Sequence, residues 1–347
     1  MGGFFRVNLI RQAAKLTFNS FCAATSLARI KLTRSPSLLI LTYHRVLPEG
    51  HSARKIEQPG MVISPSSLNQ HLTLMRSLGA TFISLGEWLE AAERGTNLPR
   101  FSVAVTFDDG WQDNYQYAYP ILKKHEVPST IFLVSRRINT GWQFWPEQIL
   151  DLLINHADKL RDPALAWLAQ DITRCGYQTG TALTNEQADA VISRLKSLDD
   201  KTIEEHLANT RSAIPELGEK PLERHLLNDD ELLEMRASGL VTYGAHTQHH
   251  YRLNRLKDAD RLQQEIVVCQ DDLKDKGLNP VSIFCYPNGD ISSKGEELVK
   301  THYSAACTTE RGWNQTPAKP YGLRRFNFHD GNGSSVLNFL ATMGRPV

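Results

Sequence analysis

A run of apolar, β-favouring residues ends at two adjacent aspartates and a glycine, and this stretch constrains the fold more than any other. It runs from Ala104 to Gly110, where Phe107 is followed directly by Asp108 and Asp109. Strands buried on both faces read as continuous apolar runs, and α/β enzymes place their reacting groups just after the C-terminal ends of such strands. Two neighbouring carboxylates repel each other, so we expect a cation or a shared proton beside them. If residues 104–110 are considered without the rest of the chain, a solvated Asp-Asp-Gly turn is the alternative interpretation.

The composition is that of an ordinary globular protein and does not point to a nucleic-acid-binding or a disulfide-rich protein. The chain has 347 residues and a formal net charge of +1, which gives no argument for a nucleic-acid partner. Its length suits one large α/β domain or a domain with a sizeable insertion. The five cysteines are scattered without a Cys-x-x-Cys pair, which argues against a disulfide framework and a thiolate zinc site. A reducing, cytoplasmic compartment fits this pattern best.

The first 36 residues form a basic segment that contains no acidic side chain. The chain has no run of about 20 apolar residues, so the sequence predicts no transmembrane span. Polar residues interrupt the apolar positions and no small-x-small cleavage site follows, which argues against a signal peptide. Residues 1–36 predict a basic amphipathic leader that lies peripherally on the inner membrane. A helix packed on the domain, or a frayed tail, is the alternative.

Strand and helix signals alternate along residues 37–141 and again along residues 226–347. This alternation predicts parallel strands joined by right-handed crossovers. Residues 142–225 show helical periodicity without a convincing strand, so we interpret them as a helical insertion into the α/β domain. The predicted strands that matter most are residues 37–42, 101–107, 129–134, 240–243 and 281–286.

Two histidines four residues apart follow the predicted strand at 240–243. His246 and His250 can point their imidazoles to one side of a tight turn. With one carboxylate they supply three metal ligands and leave positions open for water and substrate. The set suits Zn²⁺ and also resembles Fe²⁺ sites, with Co²⁺, Mn²⁺ and Ni²⁺ as further candidates. His249 offers a second feasible spacing with His246; we prefer His250 and expect His249 at the rim of the site.

Both motifs resemble those of the polysaccharide deacetylase family, also called the NodB-homology or carbohydrate esterase family 4 domain. The resemblance covers residues 38–326 apart from the helical insertion. It implies an α/β fold, a distorted (β/α)7-type barrel with fewer strands than a full TIM barrel, and metal-dependent hydrolysis of an acetyl group from a sugar. The matching residues are Thr106-Phe107-Asp108-Asp109-Gly110 and His246-Thr247-x-x-His250.

The resemblance implies roles for four of these residues. Asp109, His246 and His250 would bind the metal, with Zn²⁺ the first candidate, and Asp108 would be the general base. The physical chemistry agrees with this division. A bound metal polarises the acetyl carbonyl and lowers the pKa of water, while a free carboxylate takes the proton of that water.

The third family motif is matched only in part, at Tyr286 and Pro287. A backbone N–H near Tyr286 would hold the tetrahedral oxyanion. Many members carry an arginine before the proline, and Tyr286 stands there instead. By similarity to members with a late arginine, Arg325 is a candidate for the residue that orients the base. A plain ion pair at Arg325 is the alternative.

The general acid has two candidates. His329 lies near the family's late Leu-x-His motif, but its sequence context does not match. The stretch Tyr43-His44-Arg45 resembles the N-terminal motif of members whose barrel begins at the strand holding that histidine. We therefore expect His44 to protonate the leaving amine, with His329 as the alternative.

The resemblance finally implies a substrate class. We expect N-deacetylation of an N-acetylated glycan in a bacterial cell-envelope or extracellular polysaccharide, or of its lipid-linked precursor. An O-acetyl polysaccharide esterase is one alternative, and a glycan-binding or assembly protein with a vestigial site is another. The sequence does not set the oligomeric state.

Overall fold

Nine of the described strands form one curled sheet that is mostly parallel, and two short strands pair in a separate sheet. A computed structural model describes the backbone of residues 2–217 and 225–346, and the side chains of these residues from position 11 onward. The first ten side chains of the predicted leader, and residues 218–224 of the predicted insertion, lie outside the described residues. The strands are β1 (Ser37–Tyr43), β2 (Arg45–Val46), β3 (Val62–Ile63), β4 (Thr81–Phe82), β5 (Phe101–Phe107), β6 (Ser129–Leu133), β7 (Val241–Ala245), β8 (Ile283–Cys285), β9 (Ala305–Cys307), β10 (Asn314–Gln315) and β11 (Phe326–Asn327).

The sheet has the strand order β10-β1-β5-β6-β7-β8-β9, with β4 beside β5 and β11 beside β1. Every pair in it is parallel except β1 with β10. The segment 323–328 lies between β9 and β1, because Leu323 bridges Cys307 while the N–H of Phe328 donates to the carbonyl of Thr42 at 2.9 Å. This segment curls the sheet into a partial barrel, which confirms the predicted distorted (β/α) barrel.

Helices alternate with the strands along the chain. The predicted helix at residues 258–276 contains one π-helical turn, Gln264–Val268, between two α-helical parts. A second π-helical turn, Asn114–Ala118, directly precedes the α-helix Tyr119–His125. The helices are α1 (Gly2–Leu32), α2 (Pro65–Ser77), α3 (Leu85–Glu93), α4 (Tyr119–His125), α5 (Trp145–Asn155), α6 (Ala166–Arg174), α7 (Asn185–Leu195), α8 (Asp200–Ala213), α9 (Asp229–Ala237), α10 (Ala259–Gln263), α11 (Cys269–Asp275), α12 (Ser293–His302), α13 (Asp330–Gly333) and α14 (Val336–Gly344).

Alternate residues of each strand face two different cores, as the two-residue period of a strand requires. Leu38 and Ile40 of β1 pack in one cluster with Phe132 of β6, in the interior of the curled sheet. Leu39 and Leu41 pack on the other face with the apolar sides of the surrounding helices. Both faces are therefore buried, which explains the unbroken apolar run in β1.

Helices α5 to α8 form a unit with a hydrophobic core of its own. A buried ion pair joins this unit to the barrel: Arg252, just after β7, donates through Nε to Asp200 of α8 at 2.9 Å. The indole N–H of Trp145 donates to the same carboxylate, also at 2.9 Å. The helical unit is thus fixed to the loop that carries the two predicted histidine ligands.

The N-terminal helix α1 crosses α14 at very close range. A Cβ atom on Gly344 would lie 1.9 Å from the carbonyl oxygen of Cys22, so only glycine permits this crossing. The hydroxyl of Ser26 donates to the carbonyl of Leu340 at 2.7 Å, which fixes the pairing. In the described part of the chain, no helix combines the length and the apolar character needed to cross a membrane.

The interior of the barrel has room for Phe132 only because β7 carries a glycine. A Cβ atom on Gly244 would lie 2.6 Å from the ring of Phe132 and 3.0 Å from the carbonyl oxygen of Ile283. We expect Gly244→Ala to lower the free energy of unfolding by about 1–3 kcal/mol through overpacking, measured by urea denaturation. Gly86→Ala is the matched control, since its Cβ would meet Val281 at 3.4 Å and alanine favours helix α3. Equal unfolding midpoints for the two variants would contradict this account.

Candidate active site

The two aspartates lie at the C-terminal end of β5, as the sequence predicts. The N–H of Asp108 donates to the carbonyl of Tyr43 at 3.0 Å and so continues the ladder with β1. The backbone then turns sharply, with φ of 74° at Asp109 and 80° at Gly110. A Cβ atom on Gly110 would lie 2.8 Å from Leu133, so a larger residue would collide there. The turn leaves both carboxylates buried at one edge of the sheet.

The two histidines lie on the loop after β7, beside this turn. The N–H of His246 donates to the carbonyl of Leu133 at 3.0 Å, and the N–H of His250 donates to the hydroxyl of Thr247 at 2.8 Å. Thr247 and His250 adopt positive φ angles of 64° and 65°. This tight loop brings both imidazoles to the same side, with ring centroids 4.9 Å apart.

Asp109, His246 and His250 form a three-ligand group. The Oδ1 atom of Asp109 lies 3.4 Å from Nε2 of His246 and 3.3 Å from Nε2 of His250. This oxygen is buried and accepts no hydrogen bond. Ligand atoms that bind one tetrahedral Zn²⁺ at the usual distances are about 3.3 Å from each other. The spacing and the unpartnered oxygen therefore fit a divalent metal ion held by these three residues.

A hydrogen bond orients His246 for this purpose. Its Nδ1 lies 2.7 Å from the carbonyl oxygen of Cys285 at the end of β8. A carbonyl only accepts, so Nδ1 carries the proton and Nε2 presents its lone pair towards Asp109. His250 is oriented differently, because the ring of Phe144 lies edge-on to it with centroids 5.1 Å apart.

Trp111 orients the carboxylate of Asp109, and the sequence analysis did not identify it. The indole Nε1–H donates to Oδ2 of Asp109 at 2.9 Å, which leaves Oδ1 facing the histidines. Trp111 is itself buried beneath the guanidinium of Arg45, whose Cζ lies 4.2 Å from the ring centroid. An indole two residues after paired aspartates is the signal in the sequence that points to this role.

Asp108 makes a bidentate ion pair with Arg325. Nη1 and Nη2 of Arg325 donate to the two carboxylate oxygens at 2.8 Å and 2.9 Å, and both side chains are buried. The structure thus brings the late arginine into contact with the predicted base. The thiol of Cys285 also lies 3.7 Å from Oδ2 of Asp108, a neighbour that the sequence analysis did not single out.

Charges around the aspartates favour their ionised forms. Burial acts to raise the pKa of Asp108, but the Arg325 guanidinium and nearby imidazoles outweigh it and hold that pKa below its ordinary value. Burial likewise opposes ionisation of Asp109, but the adjacent imidazoles of His246 and His250 hold its pKa well below the ordinary value. Burial disfavours a charged His246, yet Cys285 and Asp109 raise its pKa well above normal. The space between Asp109 and the imidazoles therefore favours a cation, either a proton or a metal ion.

A second group of possible ligands, Asp108, His246 and Cys285, is less suitable for a metal. Arg325 already occupies both oxygens of Asp108. Burial raises the pKa of the Cys285 thiol to about 11, and a protonated thiol is a poor ligand. The set built on Asp109 is the stronger candidate.

His44 and His329 line the same cavity as the aspartates. Nε2 of His44 lies 3.9 Å from Oδ2 of Asp108, and its Nδ1 is buried without a hydrogen-bond partner. Nδ1 of His329 accepts the N–H of Gly331 at 3.1 Å and so caps helix α13. The Nδ1 of His329 therefore stabilises the start of α13, whereas the Nδ1 of His44 makes no such contact.

Tyr286 and Pro287, the residues predicted to lie beside the oxyanion, are not well placed for that role. The N–H of Tyr286 donates to the carbonyl of Cys307 at 3.2 Å, so it is engaged in the sheet and not free for an oxyanion. Pro287 begins a short 3-10 turn and is buried. The Nδ1–H of His249 donates to Oε1 of Glu265 at 2.6 Å, and His249 lies outside the three-ligand group, as expected of a rim residue.

The helical unit supplies one wall of the cavity, whose volume is about 410 Å³. Phe144, Trp145 and Glu147 reach it from the start of α5. Glu147 lies 3.6 Å from Arg45, which also binds Glu57 at 2.7 Å and Asp113 at 2.9 Å. Burial, and then repulsion from Glu57, raise the pKa of Glu147 well above its ordinary value.

Comparison with known proteins places this geometry in a family. The polysaccharide deacetylase family model matches residues 95–226 and 217–305. The chain is 32% identical over 111 residues to the poly-beta-1,6-N-acetyl-D-glucosamine N-deacetylase of Staphylococcus aureus strain MSSA476, covering 29% of this chain and 37% of that protein. It spans about two fifths of the length of the curated relatives that it matches first.

Two solved structures share the fold. Deacetylase PplD of Streptococcus pyogenes, in complex with acetate, has a TM-score of 0.57 at 19% identity, covering 90% of this chain and 100% of that chain. IcaB from Ammonifex degensii has a TM-score of 0.54 at 19% identity, covering 88% and 97%. These identities support likeness of fold alone. Because the family model spans more than half of the sequence, the predicted family is confirmed: the chain belongs to the polysaccharide deacetylase family.

Proposed function

We propose that the protein is a metal-dependent hydrolase that removes the N-acetyl group from a sugar residue of a bacterial envelope or extracellular glycan. The observation that carries this proposal is the unpartnered Oδ1 of Asp109, which faces Nε2 of His246 and of His250 at 3.3–3.4 Å. The neighbouring Asp108 is ionised and fixed by Arg325. Three residues that can bind a metal ion, beside a second ionised carboxylate, form an arrangement that can hydrolyse an amide.

We propose Zn²⁺ as the metal, since two imidazoles and one carboxylate are ligands that zinc accepts in an open catalytic site. When bound by Asp109, His246 and His250, the ion supplies Lewis-acid polarisation of the acetyl carbonyl and lowers the pKa of water. The indole N–H of Trp111 orients the carboxylate of Asp109, and the carbonyl of Cys285 orients the imidazole of His246. Two of the three proposed ligands are therefore held in the orientation that metal binding needs.

Asp108 is the proposed general base. Its carboxylate is buried next to the metal group, and the bidentate Arg325 holds it in one orientation. Each carboxylate oxygen keeps a further lone pair, so Asp108 can still accept a proton from the attacking water. Cys285 contributes a weak thiol contact on the same carboxylate.

His44 is the proposed general acid. It lies at the end of β1, on the Asp108 side of the cavity, and its side chain is 20% exposed. A partly exposed imidazole with an unpartnered Nδ1 can reorient and donate a proton to the leaving amine. His329 is less suited, because its Nδ1 is tied to the backbone of α13.

The proposed substrate is a β-1,6-linked N-acetylglucosamine chain, by extension from the named Staphylococcus aureus relative. A cavity of about 410 Å³ falls within the range of small-molecule sites and is lined by aromatic and polar groups. All five cysteines are free, which supports the proposal that the chain works in a reducing compartment.

Release of acetate tests the activity directly. We expect the purified chain to release acetate from N-acetylglucosamine oligomers, to lose this activity on dialysis against a chelator, and to regain it with Zn²⁺. O-acetylated oligosaccharides should be the poorer substrate under the same conditions. Faster release from the O-acetyl substrates would support an esterase, and full activity of the metal-free chain would refute the metal-dependent proposal.

Asp108→Asn removes the proposed base without changing its size. We expect kcat to fall by roughly 10²- to 10⁴-fold, because general-base catalysis contributes about that much. The affinity for Zn²⁺, measured by competition with a chromophoric chelator, should be nearly unchanged. Undiminished turnover would remove Asp108 from the mechanism.

Arg325→Lys keeps the charge beside Asp108 but loses the bidentate contact. We expect kcat to fall by about tenfold or more with a smaller change in KM, since Arg325 positions the base and does not bind substrate. The matched control is Arg324→Lys, whose side chain is 44% exposed and pairs with Glu310 at 3.4 Å. Equal kcat values for the two variants would show that Arg325 only stabilises the fold.

Trp111→Phe removes one hydrogen bond to the metal group while keeping an aromatic ring. We expect Zn²⁺ affinity to fall by roughly 10- to 100-fold, as for other groups that orient a ligand. Trp88→Phe is the control, because its buried indole N–H has no hydrogen-bond partner and the residue packs in the barrel interior. A loss of affinity in both variants would indicate a general packing defect.

A further inference from the structure

One surface of the molecule is not used by the proposed reaction: the outward face of helix α1. Five residues of α1 are buried against the domain, and they form its packed face. Two polar contacts hold that face on α14, from Asn19 to Asn338 at 3.1 Å and from Ser26 to the carbonyl of Leu340 at 2.7 Å. The five buried residues are Asn19, Cys22, Ala23, Ser26 and Ile30.

The side of α1 away from α14 is also apolar. On this side Phe18, Phe21 and Leu32 are 50%, 67% and 75% exposed, while Leu16, 58% exposed, precedes the packed residues on their own face of the helix. Among the described residues, the other exposed large apolar side chains are Leu233, Ile291 and Val336, and none of them exceeds 44%. Four of these seven side chains therefore lie on one helix, where exposure of each phenylalanine to water is unfavourable.

The spacing of these residues places them on one side of the helix. Phe18, Phe21, Ala28 and Leu32 follow one another at intervals of three, seven and four residues, and the half-buried Thr25 lies between Phe21 and Ala28. The buried residues recur at three- and four-residue intervals on another face. Helix α1 thus has an exposed apolar stripe in addition to the face that packs on α14.

Basic side chains flank the outward stripe. Arg11, Lys15 and Lys31 are exposed, and no acidic residue occurs before Glu49. The whole chain has a net charge of +1, so the rest of the molecule is net negative and the positive charge is concentrated at this end. An apolar stripe with flanking cations is the chemistry that anionic bilayer surfaces attract, whereas two copies of a basic helix repel each other.

We propose that α1 docks the protein on an anionic phospholipid bilayer through the outward stripe of Phe18, Phe21 and Leu32. The phenylalanine and leucine side chains insert at the boundary between headgroups and acyl chains, and Lys15 and Lys31 contact lipid phosphates. The opposite face remains bound to α14, so the barrel is held at the membrane surface. This docking is independent of the proposed deacetylation.

Co-sedimentation with vesicles tests the proposal on the full chain. Vesicles of phosphatidylglycerol mixed with phosphatidylcholine should bind the protein, and vesicles of phosphatidylcholine alone should bind it much more weakly. Phe18→Ser with Phe21→Ser should lower partitioning by about tenfold for each phenylalanine. Lys15→Gln with Lys31→Gln should lower it by about fivefold for each lysine and reduce its salt dependence.

Leu233→Ser is the matched control, since Leu233 is 44% exposed on α9 and should not affect binding. The substituted side chains of α1 are exposed, so the thermal unfolding midpoints of all variants should agree. Equal binding to neutral and anionic vesicles, or unchanged binding of both double variants, would overturn the proposal. So would sedimentation velocity that shows self-association of the wild-type chain, lost in the Phe18→Ser, Phe21→Ser variant.

Discussion

The buried ion pair between Asp108 and Arg325 connects the chemistry of the site to the closure of the barrel. Asp108 follows β5, whereas Arg325 lies in the segment that fills the gap between β9 and β1. The two contacts are 2.8 Å and 2.9 Å long, and each side chain is only 4% exposed. Loss of either partner would leave a buried charge uncompensated, at a cost of about 3–5 kcal/mol. The proposed base is therefore held in place only when the sheet has curled far enough to bring Arg325 beside it.

The loops that carry the proposed metal ligands are strained, and neighbouring contacts maintain that strain. Asp109, Thr247 and His250 all adopt left-handed backbone conformations that glycine or asparagine would adopt more easily. Such residues cost about 1–3 kcal/mol each and persist where the surroundings over-determine them. Trp111 fixes the carboxylate of Asp109, and the hydroxyl of Thr247 fixes the backbone of His250. The strain is therefore located where three side chains must converge on one point.

The sequence predicts the parts of the site that follow directly from strand ends. Asp108 and Asp109 follow β5, and His246 follows β7. Parallel strands of one sheet end at the same edge, so these side chains lie at one edge of the sheet even though β6 separates the two strands. Contacts across the barrel could not be predicted in the same way. The pairing of Arg325 with Asp108 depends on how the last segment closes the sheet, and the Tyr286 N–H is occupied because β8 pairs with β9. For residues 1–36, the periodicity indicates a helix but not which face packs on the domain.

An arginine-centred cluster makes the helical unit part of the site. Arg45 stacks on Trp111, which in turn orients Asp109, and it also lies 3.6 Å from Glu147 at the start of α5. A movement of α5 would therefore change the charges around Arg45 and, through the indole ring of Trp111, the position of Asp109, the proposed metal ligand. The same end of α5 presents Phe144 to His250. The barrel provides the proposed ligands, while the start of α5 adds one wall of the cavity and one of the three carboxylates around Arg45, so the helical unit shapes both the space and the charge beside those ligands.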